Sequence, residues 1–210
     1  AFYSSLCALN LYHSDAENLF LDYIKNYPDD PKQSHVYLNL SRLYYRQDRY
    51  TDVIRCFQKI DIYNLNNIEM SELYFKLGYS YFKKRDYQNA NRAFFEIKDM
   101  PNKYSFPANY YYGYSAYENG NYDEALQSFL KIKDAEAYSA IIPYYICQIY
   151  YLQKEYTKLI SYGTGALLIS QLVNETRINQ LLAQAYYETG NYSMAAKYME
   201  DFISKEKNIT

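Results

Sequence analysis

The sequence predicts an all-α fold, a solenoid of about six repeating units, and three observations lead there. Tyrosines end polar turns at Tyr50, Tyr87, Tyr122, Tyr156 and Tyr192, with spacings of 37, 35, 34 and 36 residues. A period in that range marks stacked supersecondary units. Apolar residues recur every three or four positions, as Tyr74, Leu77, Gly78 and Tyr81 do, which lays one buried stripe along a helix. The 210 residues include only 6 Gly and 5 Pro, too few for the many turns of an all-β chain.

Composition narrows the function. The formal charge of −2 comes from 22 Lys+Arg and 24 Asp+Glu with no long single-sign block, so there is no basic footprint for nucleic acid. No apolar run reaches the roughly 18–20 residues of a membrane span, so no direct membrane insertion is expected. Cys7, Cys56 and Cys147 are odd in number, lie far apart and form no CxxC pair. They read as small core residues rather than a disulfide framework or a zinc knuckle. The chain opens at Ala1 in AFYSSLCALNLY, which reads as the middle of a helix, so we expect a fragment or processed chain that lacks any targeting segment.

The units echo one another. YLNLSRLYYRQDRYTDVIRCFQKI (37–60), YFKLGYSYFKKRDYQNANRAFFEI (74–97), ANYYYGYSAYENGNYDEALQSF (108–129), YYICQIYYLQKEYTKLI (144–160) and LLAQAYYETGNYSMAAKYME (181–200) share one order. A small or polar residue precedes a tyrosine-rich pair, a turn ends in Tyr, and an apolar residue follows three positions later. His13 lies 37 before Tyr50, and Ala16, Phe20, Tyr23 and Pro28 continue in the same phase.

These residues resemble the tetratricopeptide repeat family. The unit from Ser71 matches its pattern at Tyr74, Leu77, Gly78, Tyr81, Tyr87, Ala90 and Phe94. The unit from Phe106 matches at Gly113, Gly120, Tyr122, Ala125 and Phe129, and the unit from Thr176 at Leu182, Ala183, Tyr186, Gly190, Tyr192 and Ala195. The resemblance covers nearly the whole chain. It implies a right-handed α-solenoid of antiparallel helix pairs in a single array, with repeats near 1–33 (truncated at its start), 34–70, 71–105, 106–139, 140–175 and 176–210. The Lys/Asn/Tyr/Ile bias is similar to that of large bacterial envelope proteins of this family, so periplasm or cell envelope is favoured over cytoplasm.

The elements follow in order. Helices are expected near 1–11, 14–26, 34–47, 51–61, 69–84, 88–98, 106–119, 123–133, 139–153, 157–170, 175–189 and 193–206, with loops at 27–33 and 100–107. Ser41, Gly78, Gly113 and Ala183 are small where the two helices of a repeat cross, and Ala90, Ala125 and Ala195 allow a second close approach. The turns RQDRY, KKRDY, ENGNY, LQKEY and ETGNY are short and polar, as αα-hairpin connections are. Gly120 and Gly190 suit the left-handed position that ends a helix. The fifth unit departs from the pattern with Pro143, Cys147, Lys154, Leu159, Gly163 and Gly165, which predicts a less regular or more mobile helix over 157–170.

Motifs for catalysis are missing. His13 and His35 are the only histidines and have no ligand-spaced Cys or carboxylate, so neither a metal nor a cofactor is expected. The carboxylates Asp29, Asp30, Glu17 and Asp22 read as turn or outer-face residues. Asn39, Asn174, Asn191 and Asn208 open N-x-[ST] triplets, and Asn39 falls inside a helix, against a glycan there. The chain is therefore expected not to be an enzyme.

The resemblance implies a non-enzymatic scaffold that binds a partner protein or extended peptide in the groove lined by the first helix of each repeat. Its groove positions carry over to Leu38, Arg42, Tyr45 and Arg46, then Phe75, Tyr79, Phe82 and Lys83, then Tyr110, Tyr114 and Tyr117, then Tyr144, Gln148 and Tyr151. Phe75, Tyr79, Phe82, Tyr110, Tyr114 and Tyr117 make an aromatic strip, readable either as a partner surface or as packing between repeats. Arg42, Arg46 and Lys83 make one end basic, which would orient an acidic segment. The chaperone-binding carboxylate clamp of the family is absent, since its positions hold Leu38 and Arg42, or Phe75 and Tyr79. The alternative is a recruiting segment of a larger, enzyme-containing protein. The terminal faces, 1–26 and 193–206, are expected to self-associate or to pair with further repeats.

Overall fold

The computed structural model describes residues 2–11 and 13–207, the last by its backbone alone. Ala1 and the triplet at Asn208 lie outside the described residues. Twelve α-helices run through the described residues: α1 (Phe2–Asn10), α2 (Ala16–Asn26), α3 (Gln33–Arg46), α4 (Tyr50–Phe57), α5 (Asn67–Lys83), α6 (Tyr87–Phe95), α7 (Ser105–Glu118), α8 (Tyr122–Ile132), α9 (Ile142–Leu152), α10 (Tyr156–Ala166), α11 (Glu175–Glu188) and α12 (Tyr192–Lys207). They fall into two compact units, Ala1–Ser115 and Ala116–Thr210.

In the first unit α1 pairs with α2, α3 with α4 and α5 with α6, while α3 touches both α1 and α5. Two clusters carry its core. Leu9, Phe20, Tyr23, Val36, Leu40, Tyr44 and Val53 fill the space among α1 to α4. Ala90, Phe94, Ile97, Ala108 and Tyr112 fill the space around α6 and α7. In the second unit α9 pairs with α10 and α11 with α12, and Cys147, Leu159, Ile178, Leu182 and Ala185 form the shared core. Tyr112 and Gly113 are buried, as their place in the repeat requires.

The five turns between paired helices are copies of one another. The third residue of each is left-handed: Asp48 (φ 57°), Arg85 (φ 59°), Gly120 (φ 78°), Lys154 (φ 59°) and Gly190 (φ 79°). The next amide then reaches back five residues. Arg49 N donates to Tyr44 O at 2.9 Å, Asp86 to Tyr81 at 3.0 Å, Asn121 to Ala116 at 2.8 Å, Glu155 to Tyr150 at 2.8 Å and Asn191 to Tyr186 at 2.9 Å. This is the Schellman closure that satisfies otherwise orphaned carbonyls at a helix end.

The structure departs from the sequence expectations in several places, and α4 and α6 also end early, at Phe57 and Phe95 rather than near 61 and 98. α5 begins at Asn67 rather than near 69, because Asn66 accepts from the Ile68 and Glu69 amides while Glu69 reaches back, a complete capping box. α9 begins at Ile142 rather than 139, with Pro143 in its first turn where its missing N–H does no harm. α10 runs without a break from Tyr156 and stops at Ala166, short of 170. Cys7 is exposed, unlike the buried Cys56 and Cys147, whose thiols burial pushes up to about 12. Glu17 is not outer-face decoration: it accepts from Tyr44 Oη at 3.0 Å and Arg49 Nη1 at 2.7 Å, tying α2 to α3 and the following turn.

Gly163 explains how the irregular fifth unit still packs. It stands where Phe94 and Phe129 stand in other units, and it is buried. A Cβ there would sit 3.1 Å from Leu182 Cδ2 and 3.3 Å from Cys147 Sγ. The volume lost at residue 163 is filled by Leu182 from α11.

Candidate partner-binding face

The first helices of the repeats position the candidate residues, and the turn tyrosines decide what each one touches. In the five repeats with a turn tyrosine, an aromatic residue of the first helix meets that tyrosine five residues on. The ring centroids are 6.3 Å apart for Tyr45–Tyr50, 5.8 Å for Phe82–Tyr87, 5.9 Å for Tyr117–Tyr122, 6.0 Å for Tyr151–Tyr156 and 5.4 Å for Tyr187–Tyr192. The following repeat then adds a third ring. Tyr79 lies 6.1 Å from Tyr50, and Tyr114 lies 6.2 Å from Tyr87.

In the first unit these triads merge. Phe75 and Tyr79 stack at 6.4 Å, Tyr79 and Phe82 at 6.3 Å, and Phe82 meets Tyr114 edge-on at 5.3 Å. Tyr111 is the hub, within 6.2 Å of Phe75, 5.2 Å of Tyr79, 4.9 Å of Phe82 and 5.6 Å of Phe94. The Tyr111 ring thus turns in among its neighbours rather than outward. Tyr110 touches Tyr111 at 5.2 Å. Edge-to-face and offset geometry of this kind adds about 0.5–1.5 kcal/mol per pair beyond area burial. The rings of Phe75, Tyr79, Phe82, Tyr110 and Tyr114 are all half-buried, so they pack together and keep part of each ring accessible.

Leu38 is a correction to the candidate set. It is fully buried against Ile60 and Leu73, at the seam of α3 and α5, and cannot meet a partner. Arg42 is present on the face but engaged. Its Nε and Nη2 grip both oxygens of Glu72 at 3.0 and 2.7 Å, and its Nη1 donates to Asn39 Oδ1 at 3.0 Å. Arg46 and Lys83 are exposed, and Lys83 Nζ lies 6.0 Å over the Tyr79 ring. Lys76 and Lys103 were missed. Lys76 Nζ donates to Glu72 Oε1 at 2.6 Å and lies 5.2 Å over Tyr45, while Lys103 Nζ lies 5.1 Å over Tyr104. The Glu72–Lys76 spacing, four residues on a helix already assigned to the groove, was the available signal.

In the second unit Tyr117 Oη donates to Gln148 Oε1 at 3.0 Å, and Tyr117 meets Tyr145 edge-on at 5.9 Å. Tyr144 packs on Tyr145 at 5.6 Å. Tyr151 lines a depression of about 540 Å³ together with Gln184, Tyr187, Glu188, Tyr192 and Met199. Among the described residues no group of His, Cys, Asp and Glu is placed to hold a metal ion, and no helix is long and apolar enough to cross a membrane. His35 Nε2 lies 3.9 Å from Glu69, and His13 is exposed beside Asp15.

Comparison with known proteins agrees with this geometry. Tetratricopeptide repeat family models match residues 75–140 and 176–204. No curated protein sequence matches significantly. Among solved structures, the crystal structure of MamA protein aligns at TM-score 0.68 and 19% identity over 85% of this chain and 94% of that one. MamA AMB-1 aligns at TM-score 0.69 and 14% identity over 85% and 94%, and MamA MSR-1 at 0.67 and 16% over 86% and 100%. At such identities the likeness is one of fold. With both repeat matches, the recurring turn and the all-helical pairing in agreement, the chain is a tetratricopeptide repeat protein.

Proposed function

We propose that the chain is a non-enzymatic scaffold that binds a segment of a partner protein along the first-helix face of its repeats, and that the aromatic strip of the N-terminal unit is the main contact. The carrying observation is the half-buried set Phe75, Tyr79, Phe82, Tyr110 and Tyr114 on α5 and α7. These rings are already fixed by one another, so a partner laid on them gains contact area with little further loss of side-chain freedom. Arg46 and Lys83 supply exposed charge at the edge, which favours encounter and orientation more than raw affinity. Tyr144, Gln148 and Tyr151 offer the second unit a face of its own.

The test is capture of a binding partner from the source cell by the native chain and by Tyr79→Ala/Tyr114→Ala. The double variant is expected to lose capture at least tenfold while its helical circular dichroism persists, since each ring stands in a triad whose other members remain. Because Tyr79 and Tyr114 also pack between repeats, Arg46→Glu/Lys83→Glu serves as a second variant on exposed side chains. It is expected to slow association severalfold. Capture unchanged in both variants would sink the proposal.

A further inference from the structure

The N-terminal unit carries a cation cluster that its own carboxylates do not balance. Arg42 of α3 and Lys76 of α5 converge on the single carboxylate of Glu72. The Lys76 and Glu72 side chains are only 13% and 17% exposed, so these are not freely solvated surface charges. Glu72 is already engaged on both oxygens, with two hydrogen bonds from Arg42 and one from Lys76. An ammonium has three donors. Among the described residues Glu72 is the one acceptor bonded to that of Lys76, and the rest of its surroundings include the Tyr45 ring. Lys103, in the connection before α7, adds a third cation above Tyr104, whose ring lies 5.1 Å from Phe75 of the aromatic strip. Glu69 is the next carboxylate, but it turns away to cap the Asn66 amide and to face His35. Three cations, Arg42, Lys76 and Lys103, thus stand against two carboxylates, one of them engaged elsewhere.

We infer that Lys76 and Lys103, beside the Arg42–Glu72 pair, form a receptor for a carboxylate of the bound segment, so that the partner is an acidic peptide. This rests on the reading of the aromatic face given above and specifies its chemistry. Arg42 acts by geometry: it holds Glu72 and leaves Lys76 with donors to spare. The carboxylate takes those donors, with the apolar faces of Tyr45 and Tyr104 beside it. Burial pushes the Lys76 ammonium below the usual lysine range, and Arg42 and Lys103 push the same way. An incoming anion offsets these effects by its opposite charge. A half-buried ammonium–carboxylate bond of this kind is charge-assisted and shorter than a neutral one.

The experiment compares two N-acetylated octapeptides, alternating Glu-Tyr and alternating Gln-Tyr, by calorimetric titration of the full chain at low salt. The Glu-Tyr peptide is expected to bind about tenfold more tightly, or about 1.4 kcal/mol. Lys76→Met and Lys103→Gln should each shrink that ratio severalfold while leaving Gln-Tyr binding in place. Lys76→Met keeps the stem and the Arg42–Glu72 pair, and Lys103 lies outside the helices, so both variants retain the fold. Equal affinity for the two peptides in the native chain would overturn the carboxylate site and leave the aromatic face standing. A preference for Glu-Tyr that survives both substitutions would overturn the assignment to these lysines. Failure of both peptides to bind at millimolar concentration would overturn this inference and the aromatic face together.

Discussion

Gly78→Leu should destabilise the N-terminal unit by about 3 kcal/mol or more, at the upper end of what overpacking usually costs. A Cβ built at Gly78 stands 2.8–2.9 Å from three carbons of the Phe94 ring, closer than real Cβ contacts occur. Phe94 cannot yield. It is fully buried, with the Tyr111 ring stacked on it at 5.6 Å and Phe75 at 5.8 Å on another side. The strain therefore passes into the aromatic strip itself. A melt followed by circular dichroism should fall by on the order of 10 °C at this chain length. Gly165→Ala is the matched control. Nothing lies within 4 Å of its added Cβ, so the helix gains up to about 1 kcal/mol from propensity alone. Equal melting temperatures for native and Gly78→Leu chains would contradict the packing register.

Glu72→Gln should cost about 3 kcal/mol at neutral pH, because it leaves Arg42 and Lys76 half-buried without their counter-charge. It should also remove one source of acid sensitivity. Burial acts to raise the Glu72 carboxyl, but hydrogen bonds from Arg42 and Lys76 outweigh it and hold the group down to about 2, against an ordinary value of 4.5. A carboxylate depressed on folding contributes its full stabilisation above the ordinary value and loses it as pH falls toward the folded value. The native chain should therefore weaken between pH 4.5 and 2, and the variant should show a shallower slope across that window. Parallel profiles in chemical denaturation at both ends of the range would show that Glu72 is not held by these cations.

The repeat was legible because its signals are local and recur. Five turn tyrosines fixed the register, and a small residue at each helix crossing followed from steric necessity, so the helices lie within a few residues of expectation. What the sequence hid was conformational or relational. Gly120 and Gly190 announce a left-handed turn, and Asp48 tolerates one, but Arg85 and Lys154 adopt it as well, and nothing in those two residue types says so. The turn closure imposes φ on whatever residue stands there. The box at Asn66 and Glu69 was readable as a capping signature, and it moves the start of α5.

The candidate face divides along the same line. The first-helix aromatics were legible as a set, but their contacts were not. Tyr45 and Phe82 each also meet the turn tyrosine of their own repeat, which no groove pattern encodes. Leu38 left the face because Leu73 of the next unit covers it, a relation between helices rather than a property of one. Lys76 and Lys103 entered for the converse reason: one lies off the pattern positions and is held by Glu72, and the other lies between helices over Tyr104, close enough for its charge to act on Lys76.

The most direct test of the partner-binding face is oxidative footprinting of tyrosine side chains in the full chain, alone and with a captured partner. Tyr79, Tyr110 and Tyr114 should lose reactivity on binding. Tyr63, 91% exposed in the connection between α4 and α5, should keep its reactivity. Protection of Tyr63 with the strip unchanged would place the partner elsewhere and contradict the account.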